Sequence, residues 1–96
     1  MKIVLNKSYG GFEYSNTLEL AYLQITQKTE CPDEDELRID PIFIKLIEEA
    51  YLNNQDPNTK FSKLYVFEIP DSVKYQIHEY DGYESLYWSD TEIHQI

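Results

Sequence analysis

The chain predicts a single α+β domain of two layers, with helices on one face of a small mixed sheet and a β-hairpin at its C-terminal end. Three observations lead there. Asp81-Gly82 stands between two alternating runs, YQIHEY and YESLYW, the pattern of a two-residue hairpin turn. Two segments carry apolar residues at helical spacing, and two short runs, KIVLN and LYVFEI, are rich in β-branched and aromatic residues. At 96 residues there is room for one domain with a modest core and for no second one.

The elements follow in order. Lys2 to Asn6 reads as a buried strand, and Lys7 to Tyr14 as a loop. Asn16 is the expected N-cap of a first helix, with Glu19 completing a capping box. Leu18, Ala21, Tyr22 and Ile25 share one face of that helix, which ends near Lys28. Thr29 to Glu36, TECPDEDE, holds a proline and five acids and reads as a solvated loop. Asp40 caps a second helix with Pro41 at its first position. Phe43, Leu46, Ile47, Ala50 and Tyr51 give this helix its apolar stripe, and Asn53 to Lys60 is a turn-rich connection.

Leu64 to Ile69 is the second strand, stopped at Pro70. A two-helix crossover allows the first two strands to lie side by side in parallel. The Asp81-Gly82 turn then fixes the hairpin register. Tyr80 faces Tyr83, Glu79 faces Glu84, His78 faces Ser85, Ile77 faces Leu86, Gln76 faces Tyr87 and Tyr75 faces Trp88. Val73, Tyr75, Ile77, Leu86 and Trp88 form a face expected to pack on the helices. Gln76, His78, Tyr80, Tyr83, Ser85 and Tyr87 form a polar, aromatic face for solvent, a partner or a second copy of the chain. His94 is expected on the surface or in a disordered end.

Composition limits the function classes. The formal charge is −10, with scattered lysines and a single arginine, Arg38. Direct binding to a phosphate backbone needs clustered cations, so nucleic acid is excluded as a partner, and a membrane surface is repelled. The one cysteine, Cys31, allows no internal disulfide and fits a reducing cytoplasm. Cys31, His78 and His94 lack the spacing of a zinc site, and Asp33, Glu34, Asp35 and Glu36 lack that of a calcium loop. No cofactor or metal is implied. No apolar run approaches the length of a membrane span. No nucleophilic triad can be assembled, so the chain reads as a binding protein and not an enzyme.

Three surfaces are candidates. In LNKSYGGF, Gly10-Gly11 either makes a tight turn that tucks Tyr9 and Phe12 into the core or exposes N–H groups to an anion, with Asn6 and Lys7 beside them and Tyr9 or Phe12 to stack on a base. Arg38 could clamp a phosphate, or pair with Glu34, Asp35 or Glu36. Near the hairpin tip, Glu79 and Glu84 face each other beside Asp81, an exposed acidic group that would suit a cation or a partner's lysine.

LNKSYGGF, RIDP and EIPDSVKYQIHEYDGYE together resemble a group of small phage and bacterial proteins with an LNK-x-YGGF start and an IPD…EYDG end. The likeness touches most of the chain through three short blocks. Ser8 stands where that group usually has cysteine, which argues against cysteine chemistry in the loop, and no glycine closes the second helix after Leu52. The resemblance implies a counter-defence role in a host cytoplasm, in one of two forms. One sequesters a small nucleotide-like immune signal, using Asn6, Lys7, Tyr9, Gly10, Gly11, Arg38, Tyr80 and Tyr83, in a pocket that a homo-oligomer could close. The other is an acidic inhibitor that mimics DNA toward a host defence protein, using Asp33, Glu34, Asp35, Glu36, Glu79, Asp81, Glu84 and Tyr87.

Overall fold

The computed structural model describes residues 1–96. It is an α+β domain with the order β1 (Lys2–Asn6), α1 (Asn16–Thr26), α2 (Glu34–Leu37), α3 (Pro41–Leu52), β2 (Leu64–Glu68), β3 (Lys74–Tyr80), β4 (Tyr83–Ser89) and β5 (Ile93–Gln95). In place of one mixed sheet there are two antiparallel ones, β1-β2 and β3-β4-β5. β1 and β2 run antiparallel, with Val4 opposite Val66, so the expected parallel pairing is corrected.

Local chemistry accounts for the helices. Ser15, not Asn16, caps α1: its hydroxyl accepts from the Leu18 N–H at 3.1 Å. The helix ends at Thr26, two residues before the expected Lys28, because Gln27 turns left-handed at φ 59°. Asp33 accepts from the Glu36 N–H and starts the short helix α2 inside the stretch expected to be a loop. Its three first-turn acids suit a helix N-terminus, which is why an acidic run could fold here. α3 begins as expected, with the Asp40 carboxylate taking the Ile42 and Phe43 N–H groups and Pro41 in the first turn.

The β1-β2 ribbon is covered on both faces. Val4 and Leu64 join Leu18, Tyr22, Phe43, Ile44 and Ile47 in a core under the helices. Phe43 sits at its centre, with Tyr14 and Tyr22 edge-on at 5.3 and 6.2 Å and Phe12 stacked at 6.2 Å. Aromatic pairs at such separations add about 0.5–1.5 kcal/mol each beyond their buried area. On the other face, Ile3 and Leu5 meet Leu86, Ile77, Tyr75, Val73 and Trp88. The apolar face of the hairpin therefore packs on the ribbon and not on the helices.

The hairpin register is the one expected, from Tyr75 opposite Trp88 to Tyr80 opposite Tyr83. Asp81 and Gly82 take φ 51° and 91°, as a type I′ turn demands. His94 lies in β5, half-buried and stacked on Trp88 at 5.1 Å, so it is part of the sheet.

Candidate functional site

The candidate residues near positions 6–11, 38 and 79–84 converge on one junction, where the loop after β1 meets the β3-β4 turn. All three glycines of the chain meet or approach there. A Cβ on Gly82 would lie 2.5 Å from the amide nitrogens of both Gly10 and Gly11. A Cβ on Gly10 would lie 2.0 Å from the Phe61 carbonyl oxygen. The glycines thus serve close backbone packing, and the turn occupies the side of Gly10-Gly11 that faces it. Gly11 has the positive φ, 141°, and Gly10 does not.

Asn6 is fully buried and stitches the junction. Its amide donates to the Gly82 and Ser8 carbonyls at 2.7 and 2.9 Å, and its side-chain oxygen accepts from the Lys63 N–H at 2.9 Å. With these bonds made, Asn6 is a framework residue and not an open ligand contact. The Lys7 ammonium donates to the Glu84 carbonyl at 2.6 Å and the Ile96 carbonyl at 3.1 Å, and lies 4.8 Å from the Tyr83 ring centre. Burial lowers its pKa, opposed by the Glu84 charge.

Arg38 and Glu84 form a buried pair, each 5% exposed. Two parallel hydrogen bonds of 2.9 and 2.8 Å join the guanidinium to the carboxylate. The guanidinium also donates to the Val4 carbonyl at 2.9 Å and lies 4.7 Å from the Phe12 ring centre. Glu34 and Asp35 stand further off, at 3.7 and 4.0 Å. Burial pulls the Arg38 pKa down, and the bonds and charge of Glu84 more than offset it, so the net shift is upward. The pair corrects two expectations. Arg38 is spent inside the fold, where no phosphate reaches its fork, and Glu84 is not an exposed acid of the hairpin tip. Glu79 alone of the facing carboxylates is exposed, and it accepts from the Gly82 N–H.

The pair also closes the free edge of β1. The Val4 N–H donates to the Arg38 carbonyl at 2.9 Å, and the Asn6 N–H to the Glu84 carboxylate at 2.8 Å. Helix α2, β1 and the hairpin are thereby joined at one point. Glu34, Asp35, Glu36, Glu79 and Asp81 are all exposed.

The aromatic residues divide. Tyr9, 68% exposed, stacks on Tyr83 at 5.3 Å, so both border the junction. Tyr80 is 73% exposed at the tip. Tyr87 lies further along the outer face, packed on His78 at 4.7 Å. Near it, Lys74, Gln76, Tyr87, Ser89 and Ile93 line an open groove of about 580 Å³, which the candidate residues did not include apart from Tyr87.

No group of three or more His, Cys, Asp or Glu side chains is placed to hold a metal ion, and no helix is long and apolar enough to cross a membrane. No family model, curated protein or solved structure matches the chain.

Proposed function

We propose that the protein is a non-enzymatic binding protein whose acidic, tyrosine-bearing surface docks on a basic patch of another protein. The observation that carries this reading is the Arg38–Glu84 pair. It consumes the one arginine internally and ties the end of α2 to β4, while Glu34, Asp35, Glu36, Glu79 and Asp81 stay exposed and Tyr9, Tyr80 and Tyr83 are exposed or half-exposed. Exposed carboxylates and tyrosine rings suit arginine and lysine, through charge-assisted hydrogen bonds and cation–π contacts. Tyrosine is also enriched at protein interfaces. In the setting that the resemblance to phage and bacterial proteins implies, the partner is a host defence enzyme and the patch its nucleic-acid groove.

Sequestration of a nucleotide-like signal has less support. Lys7 and Arg38, its phosphate-binding cations, are both engaged within the chain. The two readings separate in one experiment. Wild-type protein and a Glu34→Gln/Asp35→Asn/Asp81→Asn variant are used to capture partners from lysate of phage-infected cells, and both are weighed by native mass spectrometry. Capture of a basic protein that the variant loses, and that salt releases, supports the proposal. A nucleotide mass on the folded protein, equal in wild type and variant, overturns it.

A further inference from the structure

Strand β3 leaves one edge of its sheet open. Leu86 exchanges both backbone hydrogen bonds with Ile96, on the side of β4 away from β3. Its cross-strand neighbour Ile77 is therefore not bonded to β4, and bonding alternates along an antiparallel pair. Tyr75, Ile77 and Glu79 consequently aim their N–H and C=O groups outward, and none of these groups has a partner in the chain.

Open edges of this length are normally blunted by a proline, a bulge or an inward-pointing charge at mid-strand. β3 spans seven residues with no proline and no break in its register. Its one lysine, Lys74, stands at the very start.

We infer that a second copy of this chain pairs at this edge, β3 against β3 in antiparallel fashion, about a two-fold axis through Ile77. Ile77 is the midpoint of Lys74–Tyr80, so this axis overlaps the whole strand. Tyr75, Ile77 and Glu79 of each copy then exchange both of their bonds, Tyr75 with Glu79 of the partner subunit and Ile77 with Ile77 of the partner subunit. The remaining cross-strand neighbours are complementary. Gln76 meets His78 of the partner subunit, a hydrogen-bonding pair, and Lys74 meets Tyr80 of the partner subunit, a cation beside a ring. No like charges face each other. β3 carries one lysine and one glutamate, so this edge is neutral in a chain of net charge −10. Such an edge adds no net repulsion of its own when it meets itself, and the two sheets become continuous.

Sedimentation velocity over a range of protein concentrations, paired with hydrogen exchange, tests this. The wild type is expected to dimerise, more tightly as salt screens the acidic bodies. The amides of Tyr75, Ile77 and Glu79 are expected to gain protection as the dimer forms. Gln76 and His78 are exposed on the outer face, so a Gln76→Lys/His78→Lys variant keeps the fold, which circular dichroism verifies. It sets two like-charge pairs across the axis and is expected to weaken dimerisation by about tenfold or more. Gln76→Glu/His78→Lys sets opposite charges there and is expected to restore it. A wild type that stays monomeric at millimolar concentration would overturn the inference. So would a dimer in which those three amides exchange freely, or a double-lysine variant that dimerises as tightly as the wild type.

Discussion

Replacing Glu84 by alanine is the most direct test of what holds the hairpin to the rest of the chain. The Arg38 guanidinium would keep the Val4 carbonyl at 2.9 Å and lose both short bonds to the carboxylate. Glu34, at 3.7 Å and largely exposed, is too distant and too wet to replace them. The Asn6 N–H would lose its acceptor as well. Breaking a buried pair by removing one partner costs about 3–5 kcal/mol. A domain of this size has a total stability of about 5–15 kcal/mol, so the loss is a large fraction of it. Arg38→Met is expected to cost a similar amount. Replacing both, as Arg38→Met/Glu84→Leu, removes the stranded charge but leaves the Val4 carbonyl and the Asn6 N–H unpaired, at about 1–3 kcal/mol each. The double variant should therefore cost about 2–6 kcal/mol, below the roughly 6–10 kcal/mol to which the two single changes would sum. Urea unfolding followed by circular dichroism and Trp88 fluorescence measures all three. Single changes costing less than about 1 kcal/mol, or single costs that simply add, would refute the reasoning.

Two further outcomes are expected. Gly82→Ala should destabilise more than Gly11→Ala in thermal unfolding. Both residues have positive φ, at about 1–3 kcal/mol of strain, but only at Gly82 does the new methyl strike backbone, 2.5 Å from Gly10 and Gly11. Stability should also fall as pH rises above about 10. Burial and the Asp40 hydrogen bond raise the Tyr22 pKa above its unfolded value, so the fold keeps a proton that the unfolded chain releases there. Tyr22→Phe should lessen that alkaline slope without abolishing it, since burial also raises the Tyr14 and Tyr51 pKa values, at the cost of about 1.5–3 kcal/mol at neutral pH for the bond to a carboxylate. Urea titrations at a series of pH values decide it.

The parts of the fold readable from sequence are those whose chemistry is local. Asp81-Gly82 dictates a turn, and the turn dictates every cross-strand neighbour from Tyr75 to Trp88. Asp40-Pro41 dictates the start of α3 in the same way. The pairing of β1 with β2 depends on packing some sixty residues apart, and no local signal chooses its direction. α2 was hidden because the acids that favour its first turn also look like a solvated loop. At the junction, the sequence singles out the right residues and misreads their use. The alternation that turns Leu86 and Trp88 inward also turns Glu84 inward, and this was the signal that it is buried. Nothing near Arg38 in sequence identifies Glu84 as its partner, since the two are brought together only by the docking of the hairpin.

The stitching of residues 6–11 to residues 79–84 has a consequence for synthesis. The partners of β1 that close the junction come after it in the chain: Arg38, then β2, then Gly82 and Glu84. As the chain leaves the ribosome, Ile3 and Leu5 must wait for Leu86 to emerge before the hairpin side of β1 is covered. The hairpin, by contrast, can close within itself in microseconds once Tyr83 to Ser89 has emerged. Closure of this junction should therefore wait on the docking of the hairpin, whose bond between Asn6 and Glu84 spans 78 residues of chain. Chains stalled before residue 79 would hold an uncovered apolar strand, the kind of surface that chaperones and proteases recognise.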